Sequence, residues 1–114
     1  MRNMSFMLTT RQINDQSKTV TRRLGWKFLK PGDLICAVEK SQGLKRGEKV
    51  NRLATIRIIK TSFEPLNTIT LNDVVREGFP EYLVSDFIRM FCLEMCVGPK
   101  QLVNRIEFEY VDHD

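Results

Sequence analysis

The apolar positions fall in short blocks whose period changes along the chain. Residues 4–8 are a largely apolar run and predict a first strand. Thr9 and Thr10 then offer N-caps for one or two helical turns over 11–16. Thr19-Val20-Thr21 is β-branched throughout and predicts strand, because branching at Cβ suits a pleated surface. Lys30-Pro31-Gly32-Asp33 is a turn signature, and the apolar run 34–38 after it is the cleanest buried strand. Residues 39–51 are polar and predict a surface loop. Residues 53–59 alternate poorly but are rich in β-branched side chains, so a strand is expected through 60–63, ended by Glu64-Pro65.

The second half changes period. Thr70-Leu71-Asn72-Asp73 resembles a capping box, with Asp73 in place of the usual glutamate, and predicts a helix over 71–76 with Gly78 as its C-cap. Phe87, Phe91 and Met95 recur at helical spacing, with Ile88 and Cys92 in the adjacent row. That predicts a main helix over 85–95 whose stripe is core, stopped by Gly98-Pro99. Residues 104–111 alternate, with Ile106, Phe108 and Tyr110 facing in and Arg105, Glu107 and Glu109 facing out. The tail Asp112-His113-Asp114 is expected to fray. The order strand, short helix, several strands, two helices, strand predicts an α+β fold. Its expected form is a small mixed β-barrel with short helices at its ends, a single domain over 1–114.

Composition agrees with one globular domain: 114 residues, 42% hydrophobic and 28% charged. No apolar run approaches the ~20 residues that span a membrane, and residues 1–10 lack the long apolar core of a signal peptide, so a cytoplasmic protein is expected. Three cysteines argue against a disulfide framework. Cys92 and Cys96 lie four apart and His113 is the sole histidine. A structural zinc site needs four ligands and only distant Cys36 would complete this set, so neither metal nor cofactor is expected.

The net charge of +4 is unevenly placed. Residues 1–60 hold 14 cationic side chains against 4 acidic ones, and residues 61–114 hold 4 against 10. A basic half of that kind fits a polyanionic partner such as RNA or DNA phosphate, unless the halves interleave in the fold and neutralise each other.

The densest chemistry lies in Ser17-Lys18-Thr19-Val20-Thr21-Arg22-Arg23, which joins an amine, β-branched hydroxyls and two guanidiniums. It reads either as the polar face of an edge strand, where lysine deters aggregation, or as a site. On a regular strand, residues three apart point to opposite faces. Lys18 and Thr21 therefore converge only if Lys18 lies in the helix–strand corner, whereas Thr21 and Arg23 share a face. Trp26 either stacks on a base or plugs the end of the barrel, and Lys27 is placed to meet a phosphate. Glu77 falls at a helix C-terminus, where the dipole disfavours a carboxylate, so it needs a cation such as Lys18 or Arg23, or faces a site.

Lys18-x-x-Thr21-x-Arg23 resembles the signature of the ASCH domain, a small β-barrel domain related to the PUA RNA-binding domains. The family pattern is Gly-x-Lys-x-x-Glu-x-Arg. Gln16 stands at the glycine and Thr21 at the glutamate. The threonine form is similar to small bacterial amidohydrolases of the family that act on N4-acetylcytidine. The resemblance runs on through Trp26, 30–33, 76–80 and 105–108, and is nearest to phage and prophage members. It implies a PUA-like fold and, as partner, RNA or a modified nucleoside, with Arg22, Arg23, Trp26 and Lys27 in contact. Alternatively it implies amide hydrolysis by a catalytic set of Lys18, Thr21 and Glu77.

Overall fold

The computed structural model describes residues 1–111, and the tail Asp112-His113-Asp114 lies outside the described residues. Five strands form one sheet in the order β1-β3-β4-β5-β2. They are β1 (Arg2–Ser5), β2 (Val20–Arg23), β3 (Leu34–Val38), β4 (Arg52–Pro65) and β5 (Leu102–Val111). β1 runs parallel to β3, and the other three pairings are antiparallel. The sheet curls as a half-barrel with three short helices: α1 (Thr10–Asn14), α2 (Leu71–Arg76) and α3 (Val84–Met95). The architecture is α+β, as the order of elements predicts.

Two apolar clusters organise the interior. Met4, Phe6, Ile35, Ile56, Ile58, Ile106 and Phe108 fill the curl of the sheet, with Ile13 of α1 against them. Leu66, Ile69, Val74, Phe87, Phe91 and Val103 join α2 and α3 to the start of β5. The candidate chemistry lies between these clusters.

Several boundaries shift for physical reasons. The first strand ends at Ser5, and Met7–Thr9 form a 3-10 turn that leaves Met7 and Leu8 exposed. Thr9 flanks α1 without a side-chain cap, while the Thr10 hydroxyl donates to the Phe6 carbonyl at 3.0 Å. The weak alternation in β4 has a cause: the register against β5 slips between Ile58 and Lys60, which leaves Ile59 bulged and 42% exposed. The Thr70 hydroxyl caps α2 by accepting from Asp73 N–H at 3.2 Å. The reciprocal arm of that capping box is absent, because the Asp73 carboxylate is turned to arginines of the sheet. The stripe on α3 is core only in part. Phe87 and Phe91 are buried, but Met95 is 39% exposed beside a cavity.

Candidate functional site

Lys18 occupies the corner between α1 and β2. The chain leaves α1 through Gln16, whose φ of 61° is left-handed, at the position where the family pattern has glycine. Lys18 N–H donates to the Gln12 carbonyl at 3.1 Å, and the Lys18 carbonyl accepts from the Tyr110 hydroxyl at 2.5 Å. The side chain is thereby turned inward, and the residue is 3% exposed. Its Nζ donates to Glu77 Oε1 at 2.7 Å and to the Glu77 carbonyl at 2.8 Å.

Glu77 is the C-cap of α2 and 2% exposed. The dipole penalty there is offset by two cations, Lys18 and Arg22, whose Nη1 lies 3.1 Å from Oε2. Gly78 fixes the position. It takes φ of +100°, and a Cβ there would stand 2.6 Å from Gln12 Cγ. Gln12 Nε2 donates to the Gly78 carbonyl at 3.1 Å, tying α1 to the end of α2.

Burial is the largest influence on the Lys18 amine and pulls its pKa below the ordinary lysine value; Glu77 pulls it back up, and Arg23 and Arg22 push it down. As an ammonium, Lys18 keeps a third N–H beyond the two given to Glu77. As a neutral amine, it keeps a lone pair.

Arg22, expected at a phosphate, is turned to the interior. It is 3% exposed, and its guanidinium is committed to three carboxylates: Asp73 at 2.6 Å, Glu64 at 2.8 Å and Glu77 at 3.1 Å. Releasing it to a ligand would take one cation from three carboxylates at once, of which Asp73 would keep Arg105 and Glu77 would keep Lys18. Asp73 also takes a two-pronged contact from Arg105, at 2.6 and 3.1 Å. That contact first, and Arg22 second, hold its carboxyl down at about 2. Arg105 and Glu107 are half-buried members of this network rather than a solvent face.

Arg23 is a different kind of cation. Among the described residues it has no carboxylate within 4.0 Å. Its Nη2 donates to the Ser5 carbonyl at 2.7 Å, bridging the two edge strands β2 and β1, and its guanidinium lies 4.7 Å over the Phe6 ring. Burial lowers its pKa to about 10. Its Nε donates to Thr21 Oγ1 at 3.1 Å, as the shared strand face requires.

Lys18, Thr21, Arg22, Arg23 and Glu77 line one cavity of about 260 Å³. Phe79, Phe87 and Phe91 line it too, with Met90, Glu94 and Met95 of α3 and Met7 and Leu8 of the 3-10 turn. The cavity therefore combines amine, hydroxyl, guanidinium and carboxylate groups with aromatic faces. Trp26 and Lys27 are not among its lining residues. Trp26 takes φ of 63°, packs on the cluster inside the sheet and sits 5.5 Å from the Phe28 ring, while Lys27 is exposed in the same loop. The expected contact set thus divides: Arg23 and Arg22 at the cavity, Arg22 bound also into the buried network, Trp26 and Lys27 elsewhere. The residues missed from sequence are Asp73, Glu64 and Arg105, and the aromatic wall. The spacing of Phe87 and Phe91 marked a buried face, but not that part of this face is empty.

Among the described residues no group of three or more His, Cys, Asp or Glu side chains is placed to hold a metal, and all three cysteines are free. No helix among the described residues is long and apolar enough to cross a membrane.

No protein-family model and no curated protein matches the chain. Solved structures do. A DUF984-family protein from Enterococcus faecalis V583 superposes with a TM-score of 0.63 at 19% identity, over 92% of this chain and 68% of its own. An ASCH domain from Lactobacillus crispatus JV V101 gives 0.63 at 15% identity, over 98% and 80%. The hypothetical protein PH0355 gives 0.64 at 14% identity, over 96% of each chain. Identities this low carry the fold and nothing finer: the chain has the small α+β, PUA-like fold of the ASCH domain.

Proposed function

We propose that the cavity binds a modified nucleoside or its base, and that the domain is a nucleoside-binding module of the ASCH type. One observation carries the reading: Lys18, Thr21, Arg23 and Glu77 share a small cavity with the faces of Phe79, Phe87 and Phe91. A planar heterocycle needs an aromatic surface for its ring and a few converging donors and acceptors for its edge. At about 260 Å³ the space lies at the small end for ligand sites, suited to one base rather than a length of polymer. Ligand-observed NMR and calorimetry with cytidine, N4-acetylcytidine and the free bases test it. Arg23→Ala should weaken binding by about tenfold, the scale of one charge-assisted hydrogen bond. If no nucleoside or base binds, the reading is wrong.

A specific observation favours a second reading, hydrolysis of the N4-acyl amide. The Lys18 amine is buried with its pKa pulled down, in the same cavity as the Thr21 hydroxyl. In that scheme Thr21 Oγ1 attacks the acyl carbonyl and its proton passes to Lys18 Nζ. Lys18 then gives that proton to the departing exocyclic amine, and water cleaves the resulting acyl-threonine ester to release the acid. Arg23 Nε–H, donating to Oγ1, favours the alkoxide. Purified protein should release cytidine from N4-acetylcytidine, followed by chromatography. Thr21→Ala should abolish release, and so should Lys18→Arg, because a guanidinium holds its proton. Full activity in Lys18→Arg would sink the scheme and leave the binding module standing.

A further inference from the structure

The cavity continues into an acidic groove along α3. Asp86, Met90 and Glu94 recur at four-residue spacing and form the row beside Phe87 and Phe91. Met90 and Glu94 line the cavity and also the groove, which Glu81, Asp86 and Arg89 extend. Glu94 is exposed, so it stands where the cavity opens to solvent. Glu81 and Glu94 have no cation within 4.0 Å among the described residues. Asp86 accepts from Leu83 N–H at 2.9 Å. Three carboxylates thus face one guanidinium along the groove.

The cations of the cavity do not reverse this sign. Lys18 is paired with Glu77, and Arg22 with three carboxylates. Of these three cations, Arg23 is the one with no acidic partner within 4.0 Å among the described residues, and it is tied to Ser5 and Thr21. A ring seated on the aromatic wall would share the cavity with Glu94.

We infer that Glu94 is a specificity determinant, and that the cavity accepts an uncharged nucleoside or base while rejecting the same nucleoside bearing a phosphate. The inference rests on the nucleoside-binding reading. Like charges at a mouth flanked by low-dielectric walls repel more strongly than in open water, and added salt screens that repulsion.

The test is calorimetric titration of the protein with N4-acetylcytidine and with its 5′-monophosphate at matched ionic strength. The wild type should prefer the nucleoside by about tenfold or more. Glu94→Lys, a change on an exposed helix face, should shift the ratio toward the monophosphate by at least about tenfold, and raising the salt should narrow the wild-type preference. Equal affinity for the two ligands in the wild type would overturn the inference, as would a ratio unmoved by Glu94→Lys; either result leaves the nucleoside-binding reading intact. Binding of neither ligand would overturn both.

Discussion

Gln16 carries a cost that its neighbourhood imposes. Its φ of 61° crowds Cβ against the following carbonyl, by about 1–2 kcal/mol for a residue other than glycine. The turn it makes brings Lys18 into the corner before β2, and the resembled family places glycine at this position. Gln16→Gly should remove the strain while adding unfolded-state entropy of about 0.4–1 kcal/mol, a net gain of roughly 0.5 kcal/mol. The melting temperature should rise by a few degrees, and Gln16→Val, stiffer at Cβ, should lower it. A fall in melting temperature for the glycine variant would show that the Gln16 side chain contributes more than its backbone costs. At this scale the sequence was partly legible. Lys18 and Thr21, three apart, could converge only with Lys18 in the corner before β2, which is where Lys18 lies. The fate of Arg22 was not legible, because its partners Glu64, Asp73 and Glu77 lie 42, 51 and 55 residues away. No local pattern separates a guanidinium that will be buried among carboxylates from one that will meet solvent.

α2 has only six residues, too few to be stable alone, so its position depends on what holds it to the sheet. Asp73 is one tether, bonded to Arg22 of β2 and Arg105 of β5. Its carboxyl is held down at about 2 from 3.8. A carboxylate with a depressed folded pKa contributes stability that is complete above its unfolded pKa and lost as pH falls through its folded one. The window here is therefore about pH 4 to 2, and the contribution up to about 2 kcal/mol. Asp73→Asn should destabilise the protein at neutral pH and flatten the wild-type loss of stability across that window, read by urea unfolding at a series of pH values. An unchanged acid profile would remove Asp73 from this role. α2 and its Thr70 cap were readable from sequence, since capping uses neighbours. The α3 stripe was readable as apolar, but whether Phe87, Phe91 and Met95 meet packed atoms or an open space depends on the 3-10 turn and β2, far away in sequence. The bulge at Ile59 was visible only as broken alternation.

Over the whole molecule, the two charge-biased halves do interleave, but incompletely. Ion pairs join them at Lys18–Glu77, at Arg22 with its three acids, and at Arg57–Glu109. Lys45, Arg46 and Lys49 in the loop between β3 and β4, with Arg52 and Lys60 on β4, are exposed and have no acidic partner within 4.0 Å among the described residues. None of these five lines the cavity, whose mouth carries Glu94 instead. Composition made the surplus visible; only the fold separates neutralised cations from free ones. Any RNA binding by this domain should be electrostatic and run through the free loop cations, not through Arg22. Each phosphate contact on a single strand contributes about −0.7 to the slope of log affinity against log salt. Replacing Lys45, Arg46 and Lys49 by alanine should weaken binding alike for every RNA sequence and make the slope shallower by about 2. Measured by fluorescence anisotropy over a salt series, the triple variant should keep wild-type affinity for a small nucleoside. Arg22→Ala, scored only where the variant remains folded, should leave the RNA slope unchanged. A slope that falls in Arg22→Ala but holds in the loop variant would return the phosphate contact to the strand and move the nucleic-acid surface to the cavity side of the sheet.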